Sequence, residues 1–151
     1  MSVELLRLDR KNDRAWALLP QLSARILDFG VRTGQGDIEL LVKKVEAAFV
    51  VPMDTVAAWV AVDGDRVVGH LLALEDDWTG QKVGFVLQAE MDGGHLPVAI
   101  HREAKHELEA WARGRGYRML LMLTSRAPGA WARRFGWHRV RSLMGKELGD
   151  E

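Results

Sequence analysis

Residues Leu87 to Asp92, LQAEMD, carry Gln88, Glu90 and Asp92 at alternate positions. Under the two-residue repeat of a strand, Gln88 and Glu90 share one face, with Asp92 following at the turn. A carboxylate at a strand end can act as a general base, directly or through one water. A solvent-facing Glu in an alternating strand has the same pattern, and Gln88 reads either as a polar strand position or as a group that orients a substrate. His70 interrupts an apolar run, VVGHLLA. It reads first as a satisfied or edge histidine and second as a substrate contact. Beyond Asp92, Gly93 and Gly94 lead into a helix expected from about Pro97 to Arg113. Such a strand-to-helix junction suits a phosphate, because orphan amides and the helix dipole favour an anion and glycine lets its oxygens approach the backbone.

Other reactive residues are less well placed. His101 and His106 are five apart, the wrong spacing for two ligands on one helical face. With no cysteine and no HExxH segment, no metal site is expected. Gly114-Arg115-Gly116 follows a helix instead of preceding one and reads as its C-terminal cap. Tyr117, the single tyrosine, opens an apolar strand and suits a structural role.

The elements that must hold these residues follow from periodicity. Ser2 to Leu8 forms a first strand. A helix capped by Asn12 or Asp13 carries Trp16, Leu19, Leu22, Ile26 and Phe29 at helical spacing; Pro20 is expected to divide or kink it and Gly30 to stop it. A second helix starts at Asp37 as N-cap, with Ile38, Leu41, Val45 and Phe49 on one face. Thr55–Val62, Arg66–Leu74 and Lys82–Met91 form an antiparallel meander, turned at Asp63-Gly64-Asp65 and at Asp77–Gly80. Tyr117–Thr124 is a short buried strand, Ala127–Phe135 a short helix, and Trp137–Leu148 a closing strand or hairpin. Trp78, in the second turn, reads as an exposed contact residue. The result is a single α/β domain with a mixed, mostly antiparallel sheet and helices on both faces.

The totals narrow the classes. The 151 residues suffice for one domain with a sizeable core. With 21 basic and 21 acidic side chains, there is no global pull toward nucleic acid or an anionic surface, although nucleic acid is not excluded. From Arg102 to Arg141 there are ten Lys/Arg against three acidic residues, either a solvated basic face or a local anion site. The absence of cysteine, of an apolar run of about 18 residues and of a signal-like start points to a cytoplasmic protein. Oligomeric state is not set by the sequence.

In this order and spacing, the chain resembles the GNAT superfamily of acyl-CoA-dependent N-acyltransferases along nearly its whole length. EAWARGRGYRMLLMLTS (109–125) resembles the family's third helix and fifth strand. AWARRFGWHRV (130–140) resembles its fourth helix and the turn after it, with Gly136-Trp137 at the place of a common Gly-Phe pair. VAVDGDRVVGHLLA (60–73) resembles its second and third strands.

The resemblance implies a splayed central strand pair holding the pantetheine arm of acetyl-CoA, with the pyrophosphate on the amides that open the third helix. Met91, Gly93, Gly94, Ala99, His101, Arg102, Ser125, Arg126 and Trp131 fall at the implied cofactor positions, Glu90 at the implied base, and Gln88 and His70 toward the substrate. A backbone N–H on the splayed strand would stabilise the oxyanion of a tetrahedral intermediate. The implied acceptor is a small-molecule or peptide amine.

Two departures stand out. Where the family has Arg/Gln-x-x-Gly-x-Gly/Ala, this chain reads LPVAIH (96–101), with Ala99 and His101 in glycine positions. Where it often has a tyrosine acid on the fourth helix, this chain has Trp131, whose indole N–H is too weak an acid. They favour the alternative of a GNAT-fold binding or structural module without catalysis, of the kind some viruses encode.

Overall fold

The computed structural model describes residues 3–9, 11–51, 53–92 and 97–122. The element order is β1 (Val3–Arg7), α1 (Asp13–Thr33), α2 (Ile38–Val50), β2 (Val56–Asp63), β3 (Arg66–Trp78), β4 (Gln81–Met91), α3 (Val98–Gly114) and β5 (Leu120–Met122). The five strands form one sheet in the order β1-β2-β3-β4-β5. Pairing is antiparallel from β1 to β4, and β5 lies parallel to β4. This is the mixed, mostly antiparallel sheet expected from the sequence. The expected helix over 127–135 and strand over 137–148 lie outside the described residues.

The sheet has an apolar face on each side because successive strand residues point opposite ways. Ala58, Val60, Val62 and Leu72 face α1 and α2, meeting Leu18, Leu22, Ile26, Ile38 and Val45. Ala57, Trp59, Leu71, Ala73 and Val86 face α3, meeting Ala104, Leu108 and Trp111. A smaller cluster of Ala61, Val68 and Ile100, with Met91 packed on it, fastens the first turn of α3 beside the end of β4.

Helix α1 differs from expectation. It runs unbroken through Pro20 to Thr33. Pro20 lies on an exposed position, and the packing of Leu18, Leu22 and Ile26 on either side of it holds the helix together. Nor does Gly30 stop it. Gly30 is buried against α2, and a Cβ there would collide with the Ile38 side chain. The stop is Gly34, at φ 73°. Its N–H bonds Val31 O at 3.4 Å and the Gln35 N–H bonds Gly30 O at 2.8 Å, the two-bond pattern that closes a helix with a left-handed residue. Asp37 precedes α2 but is left-handed (φ 51°) and makes no side-chain cap bond; its carbonyl accepts the Leu41 N–H instead.

The meander is longer than expected at its far end. β3 continues to Trp78, so the turn reduces to Thr79-Gly80, both at positive φ. Trp78 is half-buried in that strand, not an exposed turn residue.

Two bulges shape the sheet. One leaves Val68 as the extra residue of β3 against β2. The other leaves Leu87 as the extra residue of β4 against β3, since Leu72 faces Gln88 and Ala73 faces Val86. A bulge bends its strand and increases its twist. This one falls immediately after Val86, which faces Met122, where the described part of β5 ends. It is the point where β4 turns toward its carboxylate-bearing end.

The close approach of Gly30 to Ile38 sets a direct test. Gly30→Ala forces the two helices apart and should cost about 1–3 kcal/mol, read as a lower urea midpoint with unchanged slope. Unchanged stability would mean that α1 and α2 do not meet at this residue.

Candidate functional site

The bulge at Leu87 places Gln88 and Glu90 on the sheet face covered by α1, opposite Leu72 and His70 of β3. The unbroken length of α1 brings Arg25, Asp28, Phe29 and Arg32 over the same spot. Arg25 lies at the centre. Its Nη1 and Nη2 donate to the two carboxylate oxygens of Asp92, at 3.2 and 2.9 Å. Nη2 also reaches Glu90 Oε1 at 3.3 Å, and Nε donates to His70 Nδ1 at 3.3 Å. The other Glu90 oxygen is held by Arg32, whose Nε binds Asp28 one turn earlier at 2.8 Å. The Arg32 guanidinium also lies over the Phe29 ring, and the edge of that ring meets His70.

Behind this charged layer lies a buried neutral one. His70 and Gln88 are each 1% exposed. His70 Nε2 donates to Gln88 Oε1 at 2.8 Å, because Nδ1 is already occupied as an acceptor. Gln88 Nε2 donates to Ile26 O at 3.1 Å and to Gln35 Oε1 at 2.9 Å. Gln35 Nε2 donates to Leu87 O, the carbonyl of the bulge, at 2.9 Å. Buried polar groups are costly unless paired, and here the pairing is complete. Among the described residues the one buried side-chain polar atom without a partner is Trp59 Nε1, elsewhere in the sheet.

The expected site residues thus divide. Glu90, Gln88 and His70 come together at the end of β4, but His70 and Gln88 are sealed against each other, away from any surface. Met91 lies on the opposite face, half-buried, its sulfur against Gly69. Ala99, His101 and Arg102 fall in the first two turns of α3. Ala99 and Arg102 are exposed there and His101 is half-buried. Among the described residues this helix start has no side-chain cap and no acidic residue in its first turn; the Ile100 N–H bonds Pro97 O at 2.9 Å, and the positive end of the helix dipole favours an anion. Gly93, Gly94, Ser125, Arg126 and Trp131 lie outside the described residues.

Sequence reading passed over Arg25, Arg32 and Gln35. Arg25 and Arg32 are seven apart on α1, two helical turns, and share a face. That spacing was the available signal, but an expected break at Pro20 and stop at Gly30 hid it.

The remaining candidates lie elsewhere. Tyr117 Oη donates to Glu75 at 2.7 Å, and Glu75 faces Gly84, about 20 Å of strand from Glu90. Burial raises the Tyr117 phenol above its ordinary 10.0, so it stays protonated as a structural donor. A cleft of about 320 Å³ lies beside the last turn of α3, lined by Arg7, Asp54, Glu107, Trp111 and Arg115, and contains none of the candidate residues. Among the described residues no three His, Asp or Glu side chains converge to hold a metal ion, and no helix is long and apolar enough to cross a membrane.

Burial pushes the His70 imidazole below its ordinary 6.5; the Gln88 hydrogen bond opposes that shift and the Arg25 charge adds to it. The folded chain therefore holds this proton more weakly than the unfolded chain. Its contribution to stability is complete above 6.5 and is lost as pH falls from there toward the lowered folded value. In urea unfolding between about pH 7.5 and pH 5, the wild type should lose more stability than His70→Gln. Equal slopes would contradict a neutral buried imidazole. Arg25→Lys, which cannot reproduce the fork to Asp92, should cost about 1–3 kcal/mol in the same measurement at neutral pH.

No protein-family model and no curated protein matches the sequence. Solved structures do match. A predicted acetyltransferase from Clostridium acetobutylicum, solved with acetyl-CoA, superposes with a TM-score of 0.70 at 12% identity, over 97% of this chain and 97% of the other. A GCN5-related N-acetyltransferase from Ralstonia eutropha JMP134 gives 0.70 at 15% identity, over 97% and 99%. An aminoglycoside acetyltransferase from an uncultured soil metagenomic sample, in complex with sisomicin, gives 0.63 at 12% identity, over 99% and 97%. The chain has the fold of the GNAT acetyltransferases.

Proposed function

We propose that the chain is an acetyl-CoA-dependent N-acetyltransferase acting on a small-molecule or peptide amine. The observation that carries this reading is the juxtaposition at the end of β4. The uncapped start of α3 is fastened beside Met91, and a carboxylate pair, Glu90 and Asp92, lies at the same strand end.

The residues present fit the cofactor. The amides of Val98 and Ala99 that open the helix, the small side chain of Ala99 and the exposed cation of Arg102 suit a diphosphate. Gly93, Gly94, His101, Ser125, Arg126 and Trp131 complete the proposed cofactor side, with Met91 on the α3 face of the strand end. Bound acetyl-CoA would supply an acetyl group activated as a thioester, its C–S bond breaking as the C–N bond forms and the departing thiolate taking a proton from water.

The chain supplies the remaining functions. Glu90, turned to the α1 face, takes the proton that leaves the amine nitrogen. Arg25, sheltered beneath it, keeps the carboxylate oriented. A backbone N–H of the bulged strand meets the negative charge that develops on the acyl oxygen. Asp92 and Asp28 add negative potential along the approach and suit a cationic acceptor. The similar structure holding sisomicin supports aminoglycosides as first probes of that class.

Two measurements test the reading. Acetyl-CoA at one hundred times its Kd should stabilise the chain by about 2.7 kcal/mol, read as a rise in melting temperature. Glu90→Gln should retain that rise but lose about 10²–10⁴-fold in kcat toward an accepted amine. The absence of any rise at millimolar acetyl-CoA would remove the proposal.

A further inference from the structure

The buried layer beneath Glu90 is more elaborate than packing requires. Three apolar side chains of similar volume would fill the same space without polar groups to satisfy. The hydrogen bonds also have a direction. At one end Gln35, delivered by the left-handed turn at Gly34, donates to the bulge carbonyl of Leu87 at 2.9 Å. At the other, His70 Nδ1 accepts from Arg25 Nε at 3.3 Å. Gln88 joins the two, receiving from His70 and donating to Gln35 and to Ile26 O. The line connects the bend of β4 to the one guanidinium that touches both carboxylates.

We propose that Gln35, Gln88 and His70 are positioning residues of the transfer site, fixing the bulged peptide of β4 and aiming Arg25, and through it Glu90 and Asp92, at the acceptor. The proposal rests on the acetyl-transfer reading. None of the three touches the reacting atoms. His70 has one productive state, neutral with its proton on Nε2, since only a lone pair at Nδ1 can receive Arg25. The groups that face it are Arg25 and Phe29 from α1 and Gln88 from β4, with Glu90 and Asp92 beyond Arg25 and Arg32 beyond Glu90. Protonation would set a second cation against Arg25 and release its hold.

The test uses the full chain and begins with readouts independent of turnover. Nitrogen-15 imidazole spectra of the wild type should show the Nε2–H tautomer of His70. Gln35→Met and Gln88→Met should raise hydrogen exchange across Leu87–Met91 by about tenfold or more while leaving α3 unchanged. An Nδ1–H tautomer overturns the proposal, as does unchanged exchange in β4. Gln35→Met is the milder variant, because Gln35 lies in a connection and is only half-buried, so it remains informative should Gln88→Met not fold.

Acetyl-CoA binding and kinetics then separate this proposal from the one beneath it. A wild type that transfers acetyl groups should lose at least about tenfold in kcat on Gln35→Met, with KM for acetyl-CoA unchanged. An active wild type with an equally active variant overturns the positioning role alone. A wild type that gains no thermal stability from acetyl-CoA overturns the transfer reading itself, whatever the exchange data show.

Discussion

The arrangement at the end of β4 depends on one constraint: two polar side chains, His70 and Gln88, are buried in a sheet face that is otherwise aliphatic, and each must be paired. An unpaired donor or acceptor at such depth costs on the order of 1–3 kcal/mol, a large share of the few kcal/mol by which a domain is stable. That requirement draws Gln35 in from the connection after α1, recruits the carbonyl of Ile26 and leaves His70 with a free lone pair toward Arg25. Arg25 carries the constraint outward. Once its Nε is held from below, its Nη atoms face Asp92 and Glu90, so the buried layer determines how the surface layer is charged and where it points.

Helix α1 makes this possible through its length. Had it ended at Gly30, neither Arg32 nor Gln35 would reach β4. Its continuation to Thr33 depends on Gly30 being small enough to let Ile38 of α2 against it and on Gly34 taking the left-handed turn. The two glycines serve different purposes, one admitting a neighbouring side chain and the other reversing the backbone. Composition alone does not distinguish them. Pro20 is similar. A missing N–H weakens a helix, but the apolar residues Leu18 and Leu22 on either side of it are buried in the same core, and that burial outweighs the local loss.

These cases show how much the sequence reveals and where it stops. The order of strands and helices, the two-sided sheet and the meander turn at Gly64 were readable because periodicity and turn chemistry are local properties, set within a few residues. Gln88 and Glu90 were placed on one face by the same rule. What the sequence hid was pairing at long range. Gln35 meets Gln88 across 53 residues and Arg25 meets Asp92 across 67, and no local pattern encodes either contact. The register shift at Leu87 was equally hidden, since its sequence, VLQAE, has no glycine or proline to mark a bulge. His70 read first as a satisfied histidine and Gln88 either as a polar strand position or as a substrate-orienting group; in the structure the two are buried and hydrogen-bonded to each other.

The charged layer has an asymmetry that bears on how an amine would approach. Glu90 has two guanidinium partners, and they are not equivalent. The Arg25 side chain is 16% exposed, held by His70 and by Asp92 as well, whereas that of Arg32 is 50% exposed and its other partner, Asp28, is on the surface. An exposed ion pair is screened by water and salt and contributes little; a sheltered one exchanges slowly because breaking it strands a charge. An incoming cation therefore competes with Arg32 and not with Arg25. Glu90 can change one partner while the other keeps its carboxylate in register with the strand. A carboxylate tied by two buried arginines would be locked, and one tied by none would lack direction. One sheltered and one exchangeable contact leaves Glu90 both oriented and accessible, and the sheltered contact is the one that the Gln35–Gln88–His70 line supports from below.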